Sequence, residues 1–168
     1  ILLFGEDIPL LRCNLLVRFG PRRVFGTPLS ESAFLGAAVT AAMAGLLPVV
    51  EIYMVDFLGV AVDALLNHAA KLETFSGGAW RAPLEVRAPC GGGYGDGGQH
   101  EQSLWGWLAH IPGLAVAVPS TPADAGGLML AALQQLSECS EARGEVERAC
   151  DYAWRQVELE PWQEKSHR

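Results

Sequence analysis

At 168 residues the chain is long enough for one domain with a full core, and a composition of 50% hydrophobic and 18% charged residues excludes a disordered chain. Its net charge is −7 and no Lys/Arg cluster occurs, which argues against a nucleic-acid backbone as partner. Pro48, Glu51 and Asp56 keep the longest apolar run below the roughly 18 residues of a membrane span, and the first residues lack the basic flank of a signal peptide.

In chain order, "ILLFGED" opens on a strand candidate, Ile1–Phe4, which reads as a buried strand already under way, as in a fragment of a longer domain. Arg23–Phe25 is the second strand candidate. Ser30, preceded by Pro28, then heads a helix over Ser32–Ala44. Val49–Tyr53 follows as a strand, and Phe57–Leu72 as a helix with Leu58, Val62, Leu65, Leu66, Ala69 and Leu72 at helical spacing. After the strand Leu84–Arg87 comes a glycine-rich loop, "RAPCGGGYGDGGQHEQS". Helix Glu101–Ala109, strand Leu114–Val118 and helix Ala123–Ser137 complete the alternation. Continuous apolar strands alternating with helices predict an α/β fold, a mostly parallel sheet flanked by helices. Beyond about Leu133 the composition turns charged and glycine-poor, with a turn at Gly144 and a stop at Pro161; this reads as a helical hairpin over residues 134–168. The four cysteines, Cys13, Cys90, Cys139 and Cys150, lie far apart and suit reduced thiols in the cytoplasm, not a zinc site.

Few residues here carry chemistry. Glu31 is the only ionisable side chain between Thr27 and Leu47. It is either a first-turn glutamate favoured by the helix dipole or a carboxyl meant to meet a nitrogen base, its neutral form favoured by apolar surroundings. The glycine loop follows a strand and precedes a helix, where ligand loops of open α/β sheets lie. Its "GDGG" resembles a magnesium-pyrophosphate motif but lacks the downstream asparagine, and no acidic residue completes a dinucleotide fingerprint. By default His100 is a loop cap, Phe57 a core aromatic, and Trp105 and Trp107 packing residues; His68, His110 and His167 read as structural or solvated, and Glu141–Arg155 as a solvated face.

Taken together, "LLFGED", "FGPRRVFGTPLSE", "GAAVTAAMAGLLPVVEI", "DF", "AAKLETFSGG", "PLEVRAPCGGGYGDGGQHEQS" and "HIPGLAVAVPSTPADAGGL" resemble the beta subunit of thiamine-diphosphate-dependent 2-oxo-acid dehydrogenases of the pyruvate and branched-chain types. The resemblance spans about residues 1–133 and lies in the transketolase-like pyrimidine-binding domain. It implies that Glu31, from "TPLSE", hydrogen-bonds a ring nitrogen of the cofactor's aminopyrimidine. It also implies that Phe57 packs on that ring, that His100 serves reaction intermediates or the lipoyl group, and that Glu6 is the acidic residue near the dimer centre linking two active sites. The implied partners are an alpha subunit holding the pyrophosphate and Mg²⁺, a second beta subunit completing a heterotetramer, and a lipoyl-bearing acyltransferase.

The sequence also departs from that pattern. The segment between Asp7 and Phe19 is short, Gly26 replaces an aspartate, and Glu101 replaces a serine. The tail resembles a tetratricopeptide-like repeat of bacterial transcriptional activators. These departures motivate a competing reading, a truncated non-catalytic fusion acting through protein interaction. Transketolase and deoxyxylulose-phosphate synthase are weaker matches, because they carry the metal motif in the same chain.

Overall fold

A computed structural model describes residues 1–93 and 95–139, and the chain divides into two compact units, residues 1–116 and 117–168. In the first unit four short apolar segments form strands: β1 (Leu2–Gly5), β2 (Val24–Gly26), β3 (Pro48–Glu51) and β4 (Glu85–Arg87). All pair in parallel, in the order β2-β1-β3-β4. The two central strands are the most apolar, as burial on both faces requires, and β3 is buried along its whole length. The register sets Gly5 opposite both Gly26 and Glu51, and Glu51 opposite Arg87. The strands therefore end together, and the loops that follow leave from one edge.

Helix α3 (Glu31–Met43) crosses between β2 and β3. It buries Phe34, Leu35, Ala38, Val39 and Ala42, the face produced by helical spacing, and the first four pack with Phe4, Val50, Ile52, Leu58, Ala61, Ala64 and Leu65 into the core. Phe4 and Phe25 stack with centroids 5.1 Å apart, joining the two strands side chain to side chain. The opposite face of α3, Ala33, Ala37, Thr40 and Met43, is exposed.

The short segment after β1 folds into α1 (Ile8–Leu11) and α2 (Cys13–Phe19), which the sequence reading does not foresee. Ile8 is fully buried and anchors it. Pro9 lies over the end of β2, so close that a Cβ at Gly26 would meet its Cδ at 2.9 Å. Pro9 thus occupies the space in which a side chain at position 26 would begin.

Three expectations need correction. The predicted helix Phe57–Leu72 is a 3₁₀ turn at Val55–Val60, a π-helical turn at Ala64–Ala69 and a short α4 (Leu72–Phe75); Gly59, Val60 and Val62 are poor residues for a continuous α-helix. The predicted strand Leu114–Val118 is irregular: β4 is the sheet's edge, no ladder reaches this run, and Val116 and Val118 stay exposed. The helix predicted from Glu101 is only α5, Trp105–Ala109, and its Trp105 and Trp107 are 45% and 63% exposed, so neither is a packing residue.

In the second unit, α6 (Pro122–Cys139) begins with Pro122 in its first turn, where a missing amide costs nothing. Thr121 accepts from the Asp124 amide at 3.1 Å, and its hydroxyl donates to the Asp124 carboxylate at 2.8 Å, a reciprocal cap. From residue 140 onward the predicted hairpin lies outside the described residues.

Candidate active site

Parallel strands bring the four sequence candidates to one edge of the sheet. Glu6 follows β1 directly, Glu31 ends the turn after β2, Phe57 lies in the 3₁₀ turn after β3, and His100 in the loop after β4. Open α/β sheets hold ligands beyond the C-terminal ends of their strands. Glycine lets the backbones approach here: a Cβ on Gly5 would fall 2.1 Å from the carbonyl oxygen of Glu51.

The first pair is acidic. Glu6 is only 8% exposed, and its Oε2 is buried without a hydrogen-bond partner, as is the hydroxyl of Thr27. Burial, then the charge of Glu31, then that of Asp7 push the Glu6 carboxyl above its ordinary range. Glu31 is thus near enough to act on Glu6 through space. It is half-buried in the first turn of α3, where the carbonyl of Ser30 accepts from the amides of Ala33 and Phe34. Burial and the neighbouring negative charges both favour the protonated form of the Glu6 carboxyl.

Phe57 and His100 form the second pair, with ring centroids 5.4 Å apart in an edge-to-face arrangement. Phe57 also packs on the core. The Nδ1 of His100 lies 3.0 Å from Asp96 Oδ2, but off the line of a hydrogen bond, so this buried nitrogen is unsatisfied; Asp56 Oδ2 is buried and unpartnered as well. Glu101, the serine replacement, accepts the Gly95 amide at 2.6 Å and so braces the loop. No hydrogen bond or ring contact joins one pair to the other directly. The link is structural: the Ser32 hydroxyl, next to Glu31, donates to the carbonyl of Val60, the last residue of the turn that carries Phe57.

Sequence reasoning misses an ion cluster on the same edge. Buried Glu51 accepts from Arg12 Nε at 3.2 Å and lies 3.2 Å from Arg87 Nη1, while Glu85 lies 3.9 Å from Arg87 Nε. Burial raises the Glu85 pKa, against the pull of Arg87 and with the push of Glu51. A glutamate ending an apolar β3 run, "PVVE", is the available signal; its partners come from distant segments. His68 and His110 are exposed, and among the described residues no His, Cys, Asp or Glu cluster is arranged to hold a metal ion.

This edge, with its glutamate-headed helix and glycine loop, agrees with the comparison by sequence. Residues 1–139 match the transketolase pyrimidine-binding domain. The chain belongs to that family. Similar proteins include the beta subunit of acetoin:2,6-dichlorophenolindophenol oxidoreductase from Bacillus subtilis, 44% identical over 121 residues, covering 72% of this chain and 35% of the relative. The pyruvate dehydrogenase E1 component subunit beta of Rhizobium meliloti is 46% identical, covering 72% of this chain and 26% of the relative. The 2-oxoisovalerate dehydrogenase subunit beta of Bacillus subtilis is 39% identical over 140 residues, covering 80% and 43%. The chain thus spans less than half the length of these relatives.

Proposed function

We propose that this chain is the pyrimidine-binding part of the beta subunit of a thiamine-diphosphate-dependent 2-oxo-acid dehydrogenase, working with an alpha subunit in oxidative decarboxylation of a 2-oxo acid. One observation carries the reading: Glu31 heads α3 beyond the C-terminal ends of the strands, on the same edge as the buried, unpartnered carboxyl oxygen of Glu6. The residues fit a flat, polar-edged heterocycle. Phe57 supplies a half-buried aromatic wall, while Glu6 Oε2, Thr27 Oγ1 and Asp56 Oδ2 are buried polar atoms without hydrogen-bond partners on the loops of this edge. A polar ligand would satisfy such groups, which are costly to leave bare.

In this reading Glu31 hydrogen-bonds a ring nitrogen of the aminopyrimidine, Phe57 packs on the ring, and Glu6 is the acidic residue near the dimer centre that links two active sites. His100 faces the reacting end, where a neutral imidazole can donate or accept. When bound, the cofactor supplies a carbon nucleophile and a sink for the electrons released on decarboxylation. The pyrophosphate and its Mg²⁺ belong to the alpha subunit. The exposed small-residue face of α3 suits close docking of another subunit, a second beta subunit among them, and the lipoyl-bearing acyltransferase receives the acyl group. A cytoplasmic setting suits the free thiols of Cys13 and Cys90. We place the pyrimidine-binding domain over residues 1–133; the tail expected beyond it lies, from residue 140 on, outside the described residues.

The test is to combine the chain with a matching alpha subunit and measure carbon dioxide release from pyruvate and from branched 2-oxo acids, with and without thiamine diphosphate. Cofactor-dependent release supports the reading. No release and no cofactor binding in the assembled complex would overturn it.

A further inference from the structure

We propose that Asp56 is the positioning residue for His100, fastening the glycine-rich loop to the turn that carries Phe57. The functional importance of that placement rests on the reading of His100 and Phe57 as active-site groups; the fastening itself does not. Asp56 is the second residue of the 3₁₀ turn Val55–Val60, which begins four residues after the end of β3. Beside it the Val55 amide donates to the carbonyl of Pro89 at 2.9 Å, tying the exits of β3 and β4 together. From there the loop runs out and returns at Gln102, whose two backbone groups are both used. Its carbonyl accepts the Gly91 amide at 3.0 Å, closing the loop on itself, and its amide donates to Asp56 Oδ1 at 3.3 Å.

The other polar contacts of the loop are internal. Glu101 holds the Gly95 amide, the His100 amide donates to the Gly97 carbonyl, and Asp96 lies beside the His100 ring. Among the described residues, the Gln102–Asp56 bond is the one hydrogen bond that attaches residues 91–103 to the rest of the chain. His100 lies two residues before that attachment and Phe57 one residue after it, and their rings meet edge to face. An aromatic edge contact tolerates sliding, whereas a hydrogen bond fixes distance and direction. One aspartate therefore sets where the histidine stands relative to the aromatic wall.

The chain itself supplies the readout, by amide hydrogen exchange at Gln102 and by the NMR shifts of the His100 ring protons, which sense the Phe57 ring. Asp56→Ala should speed Gln102 exchange about tenfold, the scale of one hydrogen bond to a charged group on a partly exposed surface, and shift the His100 signals. Asp56→Asn, which keeps an oxygen acceptor, should restore both. Should Asp56→Ala not fold, Asp56→Ser takes its place, being too short to reach the amide. Unchanged exchange and shifts in the truncated variant, or failure of Asn to restore them, would overturn the proposal. In a complex with an alpha subunit, Asp56→Ala should lower kcat more than it raises KM. Absence of turnover in the unaltered chain would count against the enzymatic reading alone, since the exchange and NMR results stand apart from it.

Discussion

Gly5→Ala puts the sheet geometry to a quantitative test. Gly5 ends β1 and pairs in register with Glu51 at the end of β3. An added Cβ would fall 2.1 Å from the Glu51 carbonyl oxygen and 3.1 Å from its carbon. A carbon–oxygen contact wants about 3.3 Å, so more than about 1 Å must be found. Both atoms are backbone of β3, and the Cβ is fixed to the backbone of β1, so neither side can swing aside. The strands must part, which strains the ladder, the Glu51 ion pairs and Glu6 beyond. Overpacking costs about 1–3 kcal/mol in general, and with backbone on both sides the cost is about 3 kcal/mol. For a unit of this size that lowers Tm by about 10 °C. Thermal unfolding followed by circular dichroism measures it, with Gly36→Ala as the control: its Cβ meets nothing within 4 Å, and alanine favours the helix by up to about 1 kcal/mol. If Gly5→Ala melted with the unaltered protein, the close approach of β1 and β3 would be wrong.

Glu51→Ala should cost about 3 kcal/mol in urea unfolding, because it leaves Arg12 and Arg87 without their buried counter-charge, whereas Arg12→Ala, removing a side chain 40% exposed, should cost under about 1 kcal/mol; equal costs would refute the central role of Glu51. Glu6 titrates in the folded chain above its ordinary 4.5, chiefly through burial and then through Glu31 and Asp7. Between the unfolded and folded values the native state binds more protons, so stability falls as pH rises through that window and returns on acidification. Urea midpoints for Glu6→Gln should therefore decline less from acid to neutral pH than those of the unaltered chain, and an identical decline would contradict the assignment.

The strands were legible because β1 and β3 are continuous apolar runs, and α3 because a proline-serine start precedes a regular apolar spacing. The segment after β1 was not. Pro9 interrupts its periodicity, and its anchors, Ile8 in the core and Arg12 on Glu51, are tertiary. The Leu114–Val118 run has strand composition but no neighbouring ladder, a fact about the sheet's edge that no local pattern contains. Among the site residues, physics alone left Glu31 open between a dipole-stabilised first-turn group and a functional carboxyl. The influence of its charge on Glu6 acts across 25 positions of chain and arises only once β1 and β2 lie side by side. Asp56 stood in plain view in "VDF", yet its bond to Gln102 joins residues 46 apart in sequence.

The central claim is that Glu31 offers its carboxyl to the cofactor's pyrimidine. Thiamine-diphosphate-dependent decarboxylation by the chain assembled with its alpha subunit, measured for Glu31→Gln against the unaltered chain, tests it most directly. A loss of about a hundredfold or more in kcat, with the fold and subunit assembly intact, is the predicted result, in line with removal of a group that directs proton transfer. Turnover by Glu31→Gln at the unaltered rate would contradict the account.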